Sequence, residues 1–316
     1  MPEQLVFCTD IVPKEIDEQD YDYINISKQD YVFPNIISIV SPKGGVGKST
    51  LAKELAATFS QMFFENRRIN VCLVDGNIDN SNIDIILGLE HDVDMLDWAY
   101  DIQKVISDRA LWYKDIVYTK EQMDTYLKDY TSNLKVLMAP KYAGYDKEIT
   151  TEVINVMINN IYNYGFDIII FDTGRCYSNI TLELVKKSFI TLAIGTDELV
   201  TIKKIKEMYD YYYSYGYDID KVNLVINQVH NNKNKDKFNR TDICNYIGIS
   251  DIYFEIEYEK NMIDVNNKKE CAVLGNLKRF SKNMEELAIK ISPNIYYDKK
   301  LIKLDRKRKQ KYLNYM

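Results

Sequence analysis

Apolar residues along this chain fall into short unbroken runs, separated by longer stretches in which they recur every three or four positions. Runs such as Ile36-Ile37-Ser38-Ile39-Val40, Val71-Cys72-Leu73-Val74 and Ile168-Ile169-Ile170-Phe171 show no apolar–polar alternation. That is the mark of strands covered on both faces. The pattern predicts strands over 36–40, 70–74, 134–138, 168–172, 189–194 and 222–226. Helical spacing fills the intervals and predicts helices over 48–65, 95–107, 120–129, 149–164, 179–187, 198–214 and 282–291. Strand and helix in regular turn give an α/β chain: a doubly wound, mostly parallel sheet with helices on both faces.

The two ends depart from this rhythm. In residues 1–34, Leu5-Val6-Phe7-Cys8 and Tyr21-Asp22-Tyr23-Ile24-Asn25-Ile26 read as short strands around an acidic, proline-bearing turn. This is too little for a domain and is expected to be a hairpin or a folded-over arm. Residues 35–295 form one expected domain, followed by a basic tail over 296–316. With 316 residues, 46% of them hydrophobic and 28% charged, the chain can bury a sizeable core. No apolar run approaches the roughly 20 residues that span a bilayer, and Met1-Pro2-Glu3-Gln4 does not open a signal peptide. The 5 cysteines are scattered without C-x-x-C spacing, so neither a disulfide framework nor a zinc site is expected, and a reducing cytoplasm is the simplest setting. The 2 histidines, His91 and His230, argue against histidine-based catalysis. The net charge of −6 hides an asymmetry: the tail carries about +6, which leaves the remainder near −12.

Chemistry enters at Ser41-Pro42-Lys43-Gly44-Gly45-Val46-Gly47-Lys48-Ser49-Thr50, between the first strand and the first helix. Glycines let successive backbone N–H groups curl around an anion, and the helix N-terminus adds partial positive charge. Gly44, Gly45, Val46 and Gly47 supply that backbone, Lys48 the charge for the β- and γ-phosphates, and Ser49 a hydroxyl for Mg²⁺. Thr50 has two readings, a donor to the α-phosphate or a helix cap. Asp75 and Asp172 end apolar strands at the sheet edge where open α/β sheets bind ligands, and both are candidates to hold Mg²⁺.

The loop, with Pro42 where the strict motif has glycine and a second lysine at Lys43, resembles the deviant Walker A motif of the MinD/ParA family of ATPases. Asp75 to Gly88 is similar to that family's first switch segment, Phe166 to Thr173 to its Walker B strand, and Val222 to Gln228 to the strand whose terminal asparagine, here Asn227, contacts adenine. The resemblance covers roughly residues 35 to 292. It implies ATP and Mg²⁺ as ligands, ATP hydrolysis, and a homodimer formed on ATP binding in which Lys43 reaches the partner's nucleotide. Lys43, Lys48, Asn77 and Asp172 are the catalytic candidates it implies. Relatives usually read Asp-x-Asp where this chain reads Asp75-Gly76-Asn77. An amide orients water without taking its proton, so slow or partner-activated hydrolysis is expected. Leu134 to Pro140 and Glu148-Ile149-Thr150 look most like the CpaE/TadZ branch, which places pilus or secretion machinery with the help of protein partners at a cell pole. The alternative is a ParA-type partitioning ATPase bound nonspecifically to DNA. The basic tail is compatible with an anionic membrane, an acidic partner, DNA, or a solvated end.

Overall fold

A computed structural model describes residues 36–109, 112–145, 147–230, 239–275 and 277–298. The expected N-terminal arm over 1–34 and the tail beyond residue 298 lie outside the described residues. In chain order the elements begin with strand β1 (Ile36–Val40), helix α1 (Lys48–Gln61), the short strands β2 (Phe63–Phe64) and β3 (Arg67–Arg68), β4 (Val71–Gly76), α2 (Ile83–Leu87) and α3 (Met95–Arg109). Next come α4 (Lys120–Met123), β5 (Lys128–Thr131), β6 (Leu134–Leu137), α5 (Thr151–Tyr164), β7 (Ile168–Thr173), α6 (Asn179–Lys187) and β8 (Ile190–Gly195). The series closes with α7 (Leu199–Ser214), β9 (Val222–Val229), α8 (Arg240–Ile247), β10 (Phe254–Glu257), α9 (Met262–Asn267) and α10 (Lys278–Ile291).

The main sheet has 8 strands in the order β10-β9-β8-β1-β7-β4-β6-β5. Its pairings are parallel except that of the edge strand β5 with β6. Every residue of β1, β4, β7 and β8 is buried, which is why their sequences run apolar without alternation. Alternate side chains feed different layers. Ile37 and Ile39 pack with α1 and α10, whereas Ile36 joins α3 and α5 on the opposite face. A third cluster gathers Val40, Ala193 and Leu224 with α7 and α8. The doubly wound architecture expected from the sequence is therefore present.

The differences are local. The first helix stops at Gln61 instead of reaching residue 65, and the chain makes a tight hairpin with Glu65 and Asn66 both left-handed (φ 45° and 67°). Phe63-Phe64 had continued the apolar face of the helix in sequence, and no glycine marked the turn. The hairpin also receives the far end of the fold. Phe63 N donates to Tyr296 O at 2.8 Å, Tyr296 N returns a bond to Phe63 O at 3.0 Å, and the two rings stack. The helix expected over 120–129 lasts one turn, capped by Thr119, whose hydroxyl takes the Gln122 N–H. The chain then becomes β5, which pairs with β6. The pieces 83–87, 240–247, 254–257 and 262–267 are too short for periodicity to announce.

Candidate functional site

β1 and α1 are joined by a loop whose conformation only glycine tolerates at two places, Gly45 (φ 78°) and Gly47 (φ 90°). At Gly47 space is lacking as well, since a Cβ would stand 2.5 Å from Asn227 Nδ2. Gly47 precedes α1 without any side-chain cap, and no acid occupies the first turn of the helix. Its leading N–H groups and its dipole therefore face an anion site unopposed. A cleft of about 620 Å³ opens there, and Lys43, Gly44, Gly45, Gly47, Lys48, Ser49 and Thr50 contribute to its wall. Val46, by contrast, is buried and points into the core.

Lys48 turns from the loop to the ends of the central strands, donating to Asp172 Oδ1 and to the Thr173 carbonyl. The other Asp172 oxygen, Oδ2, is buried and has no hydrogen-bond partner. A carboxylate oxygen unpaired in a dry setting suits a hard cation. Ser49 lines the cleft, and Lys48, which lines it too, ties Asp172 to its floor, so the residues present fit Mg²⁺, and the glycine cradle fits a phosphate chain.

Asp75 stands beside Asp172 in the β4–β7 register and is fully buried. Burial first, and then the Asp172 charge, push its carboxyl up to about 7 against the opposing hydrogen bonds. Its oxygens accept from Asn77 N (3.1 Å), Ser81 Oγ (2.8 Å) and Ile83 N (3.4 Å). Its carboxylate thereby organises residues 77–83 and stands beside Asp172, the other acid expected at the metal. Asn77 does line it, with its Nδ2 donating to Asn80 O at 2.6 Å. The end of the segment is fixed by His91, which bridges Asp84 (Nδ1–Oδ2 2.9 Å) and Asp94 (Nε2–Oδ2 2.9 Å).

Lys43 points within its own chain, to the Glu198 carboxylate and to Thr201 Oγ1 at 3.2 Å, at the start of α7. Its hydrogen bond, and then its charge, hold Glu198 below the usual carboxylate range. Asn227 reaches the loop and donates from Nδ2 to Val46 O at 2.8 Å. Its neighbour Gln228 adopts a left-handed φ of 61°, an unusual conformation for that residue, and also lines the cleft. The opposite wall, with Glu257, Tyr258, Met262 and Asn266, was only loosely outlined by the sequence. Thr50 meets it directly, accepting from Asn266 Nδ2 at 3.1 Å. Arg175 lies on a neighbouring groove and pairs with Asp79 at 3.2 Å. Burial pushes the Cys176 thiol up to about 11, which removes it as a nucleophile.

The chain is similar to known proteins in sequence and in fold. Residues 37–310 match the CobQ/CobB/MinD/ParA nucleotide binding domain. The septum site-determining protein MinD of Thermotoga maritima is 26% identical over 259 residues, covering 81% of this chain and 88% of the relative. Among solved structures, a ParA family ATPase from Chlorobium tepidum superposes with a TM-score of 0.68 at 19% identity, over 81% of this chain and 99% of that one. The MinD cell division protein of Aquifex aeolicus gives 0.60 at 22% identity, over 80% and 94%. These names carry the family and do not single out the CpaE/TadZ branch. On its sequence and its fold, the chain belongs to the CobQ/CobB/MinD/ParA family of nucleotide-binding domains.

Proposed function

We propose that this chain binds ATP with Mg²⁺ in the 620 Å³ cleft and hydrolyses it slowly, as a dimerising MinD-like switch that positions cellular machinery. The convergence of Lys48 and the half-paired Asp172 carboxylate beneath the glycine loop carries this reading. The loop N–H groups and Lys48 hold the phosphates; Ser49 and Asp172 hold Mg²⁺, which neutralises charge on the phosphate oxygens when bound. Asn227 and Gln228 stand on the base side of the loop. Catalysis of phosphoryl transfer rests on position and field. Asn77 on the cleft wall can hold a water in line but leaves it its proton, and this is the source of the slow turnover.

Lys43 completes the switch. Within one chain its ammonium is engaged by Glu198 and Thr201, and in the ATP-bound dimer it exchanges them for the phosphates of the facing nucleotide. A two-fold sandwich uses the same patch twice, so one substitution removes two contacts. Sedimentation with a slowly hydrolysed ATP analogue tests this: the wild type is expected to dimerise in the micromolar range and Lys43→Ala to remain monomeric. A wild type that stays monomeric contradicts the switch.

The MinD relatives and the acidic body favour a positioning role on a membrane or a protein partner over DNA partitioning. Liposome flotation and DNA mobility shifts, with full-length protein and protein ending at residue 298, separate the two. The expected outcome is salt-sensitive flotation on anionic liposomes that is lost on truncation. A tail-dependent DNA shift without flotation would put partitioning first.

A further inference from the structure

Two residues of α1 are charged and yet completely buried. Lys53 and Glu54 are each 0% exposed, and nothing in the chemistry described so far uses them. Burying an ion pair costs more than it returns unless every donor and acceptor is matched, and here they are. The Lys53 ammonium donates to Asn266 Oδ1 (2.7 Å), the Glu270 carbonyl (2.7 Å) and Glu54 Oε1 (3.1 Å). Glu54 accepts in addition from the backbone N–H groups of Ala272 (2.9 Å) and Val273 (3.1 Å). The pair thereby fastens the phosphate-side helix to the segment 266–273, whose front residue, Asn266, lines the cleft.

The polarity of this network has a consequence at the ligand. An ammonium can only donate. Lys53 therefore fixes the Asn266 side chain with Oδ1 toward itself and Nδ2 toward Thr50. Asn266 Nδ2 donates to Thr50 Oγ1 at 3.1 Å, so the hydroxyl is an acceptor on that side and its single proton is directed elsewhere. Among the described residues, no acceptor takes that proton. Thr50 lies on the cleft wall beside Ser49, so the proton is free for an anion held in the loop.

We propose that Lys53 and Asn266 are positioning residues for the nucleotide, forming a relay that makes the Thr50 hydroxyl an obligate donor to the bound phosphate chain. The inference rests on the phosphate-loop reading above and adds residues to it. It also gives α9 a second role, since the base-side wall is ordered by the same bonds that aim a donor at the phosphates.

Asn266→Asp tests the relay at nearly constant shape. One carboxylate oxygen still receives Lys53, while the other now takes the Thr50 proton and reverses the last bond. Mg²⁺–ATP affinity is expected to fall about tenfold or more, the usual scale for losing a hydrogen bond to a charged group. Thr50→Val should lose a similar factor and Thr50→Ser should retain wild-type affinity. Because Asn266 acts only through Thr50, adding Asn266→Asp to Thr50→Val should weaken binding no further. Asn266→Ala, which frees the Thr50 proton without capturing it, should fall between the wild type and Asn266→Asp. Additive losses in the double variant would mean that the introduced carboxylate acts by charge alone, and would overturn the relay. So would wild-type affinity in Asn266→Asp while Lys48→Ala has lost binding. Equal affinity of the wild type and Lys48→Ala would instead overturn the phosphate-loop reading, and the relay with it.

Discussion

Asn77 illustrates how much one side chain decides at this site. It lines the cleft, its amide ties the turn to Asn80, and its backbone N–H caps Asp75. The side chain is thus held in place for water but lacks negative charge. Asn77→Asp keeps the outline of the side chain, gives up the donation to Asn80 O and adds a base, so ATP turnover is expected to rise about tenfold or more, within the range of general-base assistance. Unchanged or lower turnover would mean that position 77 does not orient the attacking water. Lys43 and Lys48 were legible in the sequence because they sit in the glycine-bearing motif, and Asn77 and Asn227 because each lies at the carboxyl end of an apolar strand, where open α/β sheets bring residues to a cleft. Asp75 was legible as a strand-end acid, but its orientation was not. That depends on Ser81 and Ile83 turning back over it, a matter of loop conformation and not of residue type. Lys53 and Glu54 looked like ordinary helix charges, because their partners lie more than 200 positions along the chain.

At the scale of elements, the long strands and helices were legible because burial on both faces leaves a composition signal over five or more consecutive residues. The β2–β3 hairpin, β5 and α9 were not. The hairpin and α9 are set by partners remote in sequence, Tyr296 for the one and the Thr50–Lys53 face of α1 for the other, whereas β5 is a short, polar edge strand paired with its neighbour β6. The His91 bridge is a local fastening, tying α2, through Asp84, to the start of α3, through Asp94. Burial works against its charged form, but hydrogen bonds and charges from both aspartates outweigh burial and raise its pKa above the ordinary value. A histidine raised in the folded state stabilises most fully below its unfolded pKa of about 6.5, and that stabilisation is lost as pH climbs through the folded value. Stability of the wild type against denaturant should therefore fall as pH rises from about 6 to 8, and His91→Gln should lack that part of the slope. Parallel pH profiles in the two proteins would show that the bridge carries no such linkage.

For the molecule as a whole, the topology puts β1 at the centre, between β7 and β8. The phosphate loop thus leaves the sheet where Asp172 ends a neighbouring strand and where α7 brings Glu198 to Lys43. One connection order explains why residues scattered from 43 to 280 face one cleft. The same arrangement places both lysines in ion pairs within the chain, with Asp172 and with Glu198, and on the proposed reading a nucleotide would engage by exchanging these carboxylates for phosphate oxygens. No helix among the described residues is long and apolar enough to cross a membrane. Everything proposed for the dimer, the switch and the relay presupposes that the loop holds a nucleotide. The most direct test is isothermal titration of Mg²⁺–ATP into the wild type and into Lys48→Ala. Saturable binding by the wild type, weakened at least a hundredfold in Lys48→Ala, is the expected result; equal affinity in the two proteins, or none in the wild type, would contradict the account.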